Sequence, residues 1–252
     1  MIARLRALLF YAGYSLSLII YAPLCIILAP FLSLHGRYRI CLRWNAFALW
    51  WLGVCCGLRH RIIGAENVPK EPVVVMANHQ SPWETLFLAL YFRPICPILK
   101  QELLKIPFFG WGLALVKPIA IDRSKRREAR QTLLAQGPDR LQRGLSVMVF
   151  PEGTRVNPGE ERKFSSGGAE LAIAAGAKVL PVAHDAGCFW PAHKLVKHPG
   201  VITVHIGKPI EAKGCSPRDL TEEVSSWIRA RLSEMQPELY PAAEAKSSEA
   251  RS

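Results

Sequence analysis

The sequence predicts an α/β domain built on a mostly parallel sheet, preceded by an N-terminal membrane-embedded helical segment. Three observations carry this. The chain has 252 residues, room for one substantial domain and a short appendage. Residues 7–34 contain no charged side chain. Beyond Arg59, short β-branched runs alternate with longer helical patterns, as in sheets whose parallel strands are joined by helical crossovers.

Composition narrows the partners. Half of the residues are hydrophobic, the formal net charge is +12, and mean hydropathy is +0.13. A basic chain with an apolar end points to an anionic membrane surface, phosphorylated substrates or nucleic acid. No nucleic-acid-binding module accompanies the charge, so nucleic acid is set aside. The seven cysteines are odd in number and none has C-x-x-C spacing, which predicts reduced thiols in a cytosolic setting.

The uncharged run from Ala7 to Leu34 is long enough to cross a hydrocarbon core of roughly 30 Å. Arg4 and Arg6 before it resemble the start of a signal peptide. The apolar stretch is too long for one, however, and no small-x-small cleavage site follows, so the segment is expected to be retained. Arg37, Arg39 and Arg43 lie beyond it, so basic residues flank both sides and no single-span orientation is favoured. Pro23 and Pro30 allow a shallow hairpin within the run as the alternative to a full span. A second apolar stretch, Trp44–Leu58, is too short to span. Its three tryptophans suit either the bilayer interface or a buried helix of the soluble domain.

The expected organisation is therefore an anchoring region at 1–58, an α/β domain at 59–240 and a disordered tail at 241–252. A region set apart in this way is expected to be removable, over residues 1–34, without unfolding the domain. Within the domain, strands are predicted at Val73–Ala77, Pro97–Leu99, Ile119–Ile121, Ser146–Phe150, Val179–Ala183 and Val201–Ile206. Helices are predicted at Pro82–Phe92, Arg126–Arg143, Gly168–Ala175 and Asp219–Met235.

Three stretches carry chemistry. In Asn78-His79-Gln80-Ser81-Pro82-Trp83-Glu84, a histidine leaves a buried strand with a carboxylate five residues on. Those are the parts of a general base and of the group that fixes its tautomer. The same residues also read as a capping box, with Ser81 at the N-cap, Pro82 at the first helical position and Glu84 three residues after the cap. Backbone N–H groups at this helix start are candidates for stabilising an oxyanion. Phe150-Pro151-Glu152-Gly153-Thr154-Arg155 ends a second buried strand, where Arg155 is either a forked phosphate ligand or a solvated turn residue. The third stretch runs from Lys100 to Arg123. Its basic residues bracket an apolar segment, which suits a ligand with a charged head and a greasy tail, or a surface helix with snorkelling lysines.

In this order the stretches resemble the lysophosphatidic acid acyltransferase family, within the glycerolipid acyltransferases. The likeness covers roughly Pro72 to Pro209. The family's His-x4-Asp motif matches His79 and Glu84, with glutamate in place of aspartate, and its Phe-Pro-Glu-Gly-Thr-Arg motif is intact at Phe150–Arg155. A third block matches Lys100, Glu102, Leu103, Pro107, Gly110, Asp122 and Arg123, and a fourth matches Val179-Leu180-Pro181-Val182.

The resemblance implies a layered glycerolipid-acyltransferase-like domain that moves an acyl group from a thioester to the sn-2 hydroxyl of 1-acyl-glycerol-3-phosphate, giving phosphatidic acid. It assigns His79 as base and Glu84 as its orienting partner. Lys100, Arg155 and Arg123 become ligands of the acceptor's phosphate, and Glu152, Gly153 and Thr154 shape the pocket. It implies acyl-CoA or acyl carrier protein as donor, a membrane lipid acceptor, no cofactor and no metal. The expected location is the inner membrane, with the catalytic domain facing the cytoplasm. Another lysolipid, such as a lyso-aminolipid, is the alternative acceptor, and a non-catalytic protein binding anionic membranes is the alternative class.

Overall fold

A computed structural model describes residues 1–122 and 124–241. Two long helices open the chain, α1 (Ile2–Leu28) and α2 (Leu34–Cys56). Then come β1 (Leu58–Ile63), β2 (Val74–Ala77), α3 (Pro82–Tyr91), β3 (Ile95–Lys100), α4 (Phe109–Leu115) and β4 (Ile119–Ile121). The second half holds α5 (Arg126–Gln142), β5 (Ser146–Val149), α6 (Gly167–Ala175), β6 (Val179–His184), the short α7 (Ala186–Phe189), β7 (Gly200–Ile206) and α8 (Pro217–Met235).

The seven strands form one sheet in the order β1-β7-β6-β2-β5-β3-β4. All neighbouring pairs are parallel except β6–β7, so the mostly parallel sheet is present. The antiparallel pair has a structural reason: β6 and β7 are joined by α7 and a loop, not by a full crossover helix.

The central strands are buried on both faces, and alternation sorts their side chains between two cores. Val73, Val75 and Ala77 face a core shared with α1, α2 and α3. Val74 and Met76 face the core built with α5, α6 and α8. The fold is thus three layers, with the sheet between two helical layers.

The N-terminal pair departs from the sequence expectation. Pro23 lies inside a continuous α1, and the chain reverses at Ala29–Phe31, around Pro30. The hairpin is therefore α1 against α2, not two halves of the uncharged run. Ser33 caps α2 through its side-chain oxygen, and Gly57 ends it in the left-handed conformation. Nor is α1 a detachable appendage. Phe10 is fully buried in the core that contains Val75 and Leu180, and Arg6 Nε donates to Cys55 O at 2.7 Å. Burying a residue such as Phe10 is worth about 1.5–3 kcal/mol, so deleting residues 1–34 would strip a wall from the domain core. On α2, Trp44, Ala48 and Leu52 face inward while Phe47, Trp50 and Val54 are exposed, so this helix both packs and presents an apolar face.

Sequence reasoning missed β1, α4 and α7. β1 (Leu-Arg-His-Arg-Ile-Ile) is an edge strand with mostly exposed side chains, so it lacks the apolar run that marks a buried strand. All seven cysteines are free thiols. Of the proposed tail, residues 242–252 lie outside the described residues.

Candidate active site

β2, β5 and β3 are adjacent and parallel, so their C-terminal ends share one edge of the sheet. That edge is where ligands gather in open α/β sheets. It brings together the loops that start at Asn78, Phe150 and Lys100. Register then selects the face. Met76 pairs with Val149, and strand alternation places His79 and Phe150 on the side of α1 and α2. The two rings stack, with centroids 4.1 Å apart and planes 15° from parallel.

His79 Nδ1 lies 2.7 Å from Glu84 Oε1, and both side chains are buried. The capping-box contacts and the contact to His79 therefore coexist on Glu84. The same Oε1 accepts from Ser81 N at 2.9 Å and Gln80 N at 3.1 Å, while Ser81 Oγ accepts from Trp83 N at 3.1 Å. Burial pushes the Glu84 carboxyl upward, but the His79 hydrogen bond, with nearby imidazole charge and the backbone donors, outweighs this and holds it below the usual carboxylate range. An ionised Glu84 fixes the tautomer with Nδ1–H toward itself, so that the ring's Nε2 is the unprotonated nitrogen. One expectation fails here. The N–H groups of Gln80, Ser81 and Trp83 are committed to the cap, so this helix start does not supply an oxyanion hole.

The backbone around His79 is clamped from two sides. His79 N donates to Glu152 Oε1 at 3.2 Å, and Val156 N donates to His79 O at 2.8 Å, so the loop from Phe150 to Val156 grips the histidine at both backbone polar atoms. On the other side, the Asn78 amide donates to His184 O at 2.9 Å and accepts from His184 N at 3.0 Å. His184 Nε2 also meets Asn78 O at 2.8 Å, and its Nδ1 accepts from Ala186 N. Sequence reasoning missed His184. Its only signal was a polar residue ending an otherwise apolar strand.

Glu152 is buried, and burial pushes its carboxyl up to about 8. At neutral pH it is thus protonated, and the site carries one carboxylate charge, on Glu84, instead of two. Gly153 sits at φ 74°, a left-handed turn position that glycine adopts without strain.

A cavity of about 420 Å³ joins these groups. His79, Phe150, Thr154, Arg155 and Lys100 line it, and Leu18, Ala22, Leu42, Ile95 and Val116 give it apolar walls from α1, α2, β3 and the end of α4. Of the predicted phosphate ligands, Arg155 and Lys100 reach this cavity, whereas Arg123 lies outside the described residues. Arg155 Nε is buried with no hydrogen-bond partner among the described residues. Lys100 is about half exposed and lies 3.4 Å from Glu102. Gly110 has its own reason in this block: a Cβ there would collide with the carbonyl oxygens of Leu103 and Leu104, so only glycine lets α4 close against the preceding turn. The contribution of α1 and α2 to the cavity was not legible in the sequence, where they read as an anchor.

A buried histidine–carboxylate pair beside an apolar cavity, on a layered α/β fold, has the parts of a general base and its orienting group. The family model described as acyltransferase matches residues 59–185. A 1-acyl-sn-glycerol-3-phosphate acyltransferase of Pseudomonas aeruginosa is 44% identical over 237 residues, covering 92% of each chain. One from Saccharomyces cerevisiae is 32% identical over 182 residues, covering 70% of this chain and 59% of its own. The crystal structure of the 1-acyl-sn-glycerophosphate (LPA) acyltransferase PlsC from Thermotoga maritima has the same fold, with TM-score 0.77 at 24% identity over 92% of this chain and 95% of that one. The chain belongs to the acyltransferase family, with the 1-acyl-sn-glycerol-3-phosphate acyltransferases.

Proposed function

We infer that the protein transfers a fatty acyl group from an acyl thioester to the sn-2 hydroxyl of 1-acyl-sn-glycerol-3-phosphate, forming phosphatidic acid. The observation that carries this is the His79–Glu84 pair at 2.7 Å, set in an apolar cavity that also receives Arg155 and Lys100. His79 Nε2 takes the proton of the acceptor hydroxyl as its oxygen attacks the thioester carbonyl. Glu84 stabilises the imidazolium that results. Collapse of the tetrahedral intermediate breaks the C–S bond, and the imidazolium returns its proton to the departing thiolate. Arg155 and Lys100 hold the acceptor's phosphate by charge-assisted hydrogen bonds. Thr154 and the neutral Glu152 shape the pocket beside it. The apolar walls from α1 and α2 take an acyl chain. The donor is acyl-CoA or acyl carrier protein.

The α1–α2 hairpin lies in the membrane interface, on the cytoplasmic side, and does not cross the bilayer. The first half of α1 packs on the catalytic domain through Phe10, which meets Trp190 edge-on, and a helix held there cannot be immersed in hydrocarbon along its whole length.

The test is turnover by the full-length protein in detergent, with lysophosphatidic acid and a lyso-aminolipid as acceptors and both thioesters as donors. Lysophosphatidic acid is expected to be the preferred acceptor. His79→Ala is expected to lower turnover by at least about a thousandfold, in the range seen for loss of a general base. Preference for the lyso-aminolipid, or near-wild-type turnover by His79→Ala, would overturn the reading.

A further inference from the structure

The loop between α7 and β7 belongs to neither of the two blocks that supply His79 and Arg155, yet it reaches the same cavity. His193, on this loop, lines the cavity together with His79, Thr154, Arg155 and Lys100. Its backbone is in the left-handed region, at φ 59°. Few non-glycine residues adopt this conformation, histidine among the more tolerant, and it persists where surrounding structure imposes it.

The surrounding structure here is specific. Four residues on, Lys197 is almost fully buried although no carboxylate pairs with it among the described residues. Its Nζ lies 3.5 Å from the centroid of the Tyr11 ring, 4.8 Å from that of Trp190 and 4.9 Å from that of Phe10. It also donates to Leu195 O at 2.9 Å. Phe10 and Tyr11 belong to α1, and Trp190 opens the loop. A desolvated cation is held on aromatic faces more strongly than an exposed one, so this cage straps the loop to the N-terminal helix. The loop is closed further by its own backbone, through His198 N to Phe189 O at 2.8 Å and Lys194 N to Pro191 O at 3.3 Å. Ala192, next to His193, is buried.

We propose that this loop forms the headgroup end of the acceptor site, with His193 as a third ligand of the lysolipid phosphate beside Arg155 and Lys100. Lys197 is the positioning residue that holds the loop there. This rests on the reading of Arg155 and Lys100 as phosphate ligands. The chemistry fits: an imidazole N–H on the cavity lining can donate to a phosphate oxygen. The strap gives α1 a part in acceptor recognition, because the helix that meets the lipid surface also sets the position of a headgroup ligand.

The experiment is steady-state kinetics of the full-length enzyme in mixed micelles, varying lysophosphatidic acid and then the thioester, with Arg155→Ala run in parallel. His193→Ala is expected to raise the acceptor KM about tenfold, the loss of one hydrogen bond to a charged group, with kcat and donor KM within about threefold. His193→Gln, which keeps an N–H donor, is expected to recover most of the loss. Lys197→Met is expected to shift the same acceptor KM and to leave donor KM unchanged. An unchanged acceptor KM in His193→Ala, with a raised one in Arg155→Ala, overturns the role of His193 alone. Unchanged acceptor KM in both overturns the headgroup reading itself. A fall in kcat with a raised donor KM in His193→Ala, unrescued by glutamine, makes the loop structural and overturns the proposal.

Discussion

At the scale of single residues, one carboxylate oxygen carries two tasks. Glu84 Oε1 serves the cap N–H groups and His79 Nδ1 together. Glu84→Gln separates the tasks, because an amide oxygen can still accept from the backbone but is a weak partner for an imidazolium. Turnover is expected to fall on the order of a hundredfold, and stability by no more than about 1 kcal/mol. Glu84→Asp is expected to keep measurable activity. Wild-type turnover with a lowered melting temperature would reduce Glu84 to a cap. Glu152 gives the complementary case. Its carboxyl ionises near 4.5 in the unfolded chain and near 8 in the fold, so folding takes up a proton between those values. The unfolded state binds fewer protons there, and this group's contribution makes stability fall as pH rises from about 4.5 to 8, then level off. Glu152→Gln removes that penalty. Its melting temperature is expected to match wild type near pH 5 and to exceed it at pH 8 and above. Melting curves that stay parallel from pH 5 to 9 would show that Glu152 is not neutral in the fold.

At the scale of elements, α1 and α2 face two ways. Phe10, Tyr38, Leu42 and Leu52 close one core of the catalytic domain, while Ile20, Phe31 and Trp50 are well exposed, with Arg39 and Arg43 close by in sequence. Exposed apolar side chains with exposed arginines on the same helical pair suit insertion just below anionic headgroups. The full-length protein is expected to sediment with phosphatidylglycerol vesicles, and less so as salt is raised. The double substitution Ile20→Glu, Trp50→Glu is expected to abolish binding and leave turnover of detergent-dispersed substrate largely unchanged. Retained vesicle binding would mean that another surface holds the membrane.

At the scale of the whole molecule, the sequence by itself determined the elements whose patterns are local. The β-branched run at Val73–Ala77 and the runs that became β5 and β6 are buried on both faces, and burial on both faces writes a continuous apolar run. The Ser81–Glu84 cap and the glycine of the Glu152–Arg155 turn are likewise fixed by neighbours in the chain. So His79, Glu84, Lys100 and Arg155 could be singled out before any fold was known. Only the tertiary structure decided what depends on contacts between distant residues. It made part of the expected anchor a wall of the cavity as well, because Phe10 and Leu18 find their partners far along the chain. It spent the N–H groups near Ser81 on the cap, which spacing alone could not reveal. It brought His184 against Asn78 across 106 positions and carried His193 to the cavity lining on a loop held by Lys197. Those residues follow no periodicity. Their places are set by strand order and by packing between layers, and neither is encoded in the spacing of nearby side chains.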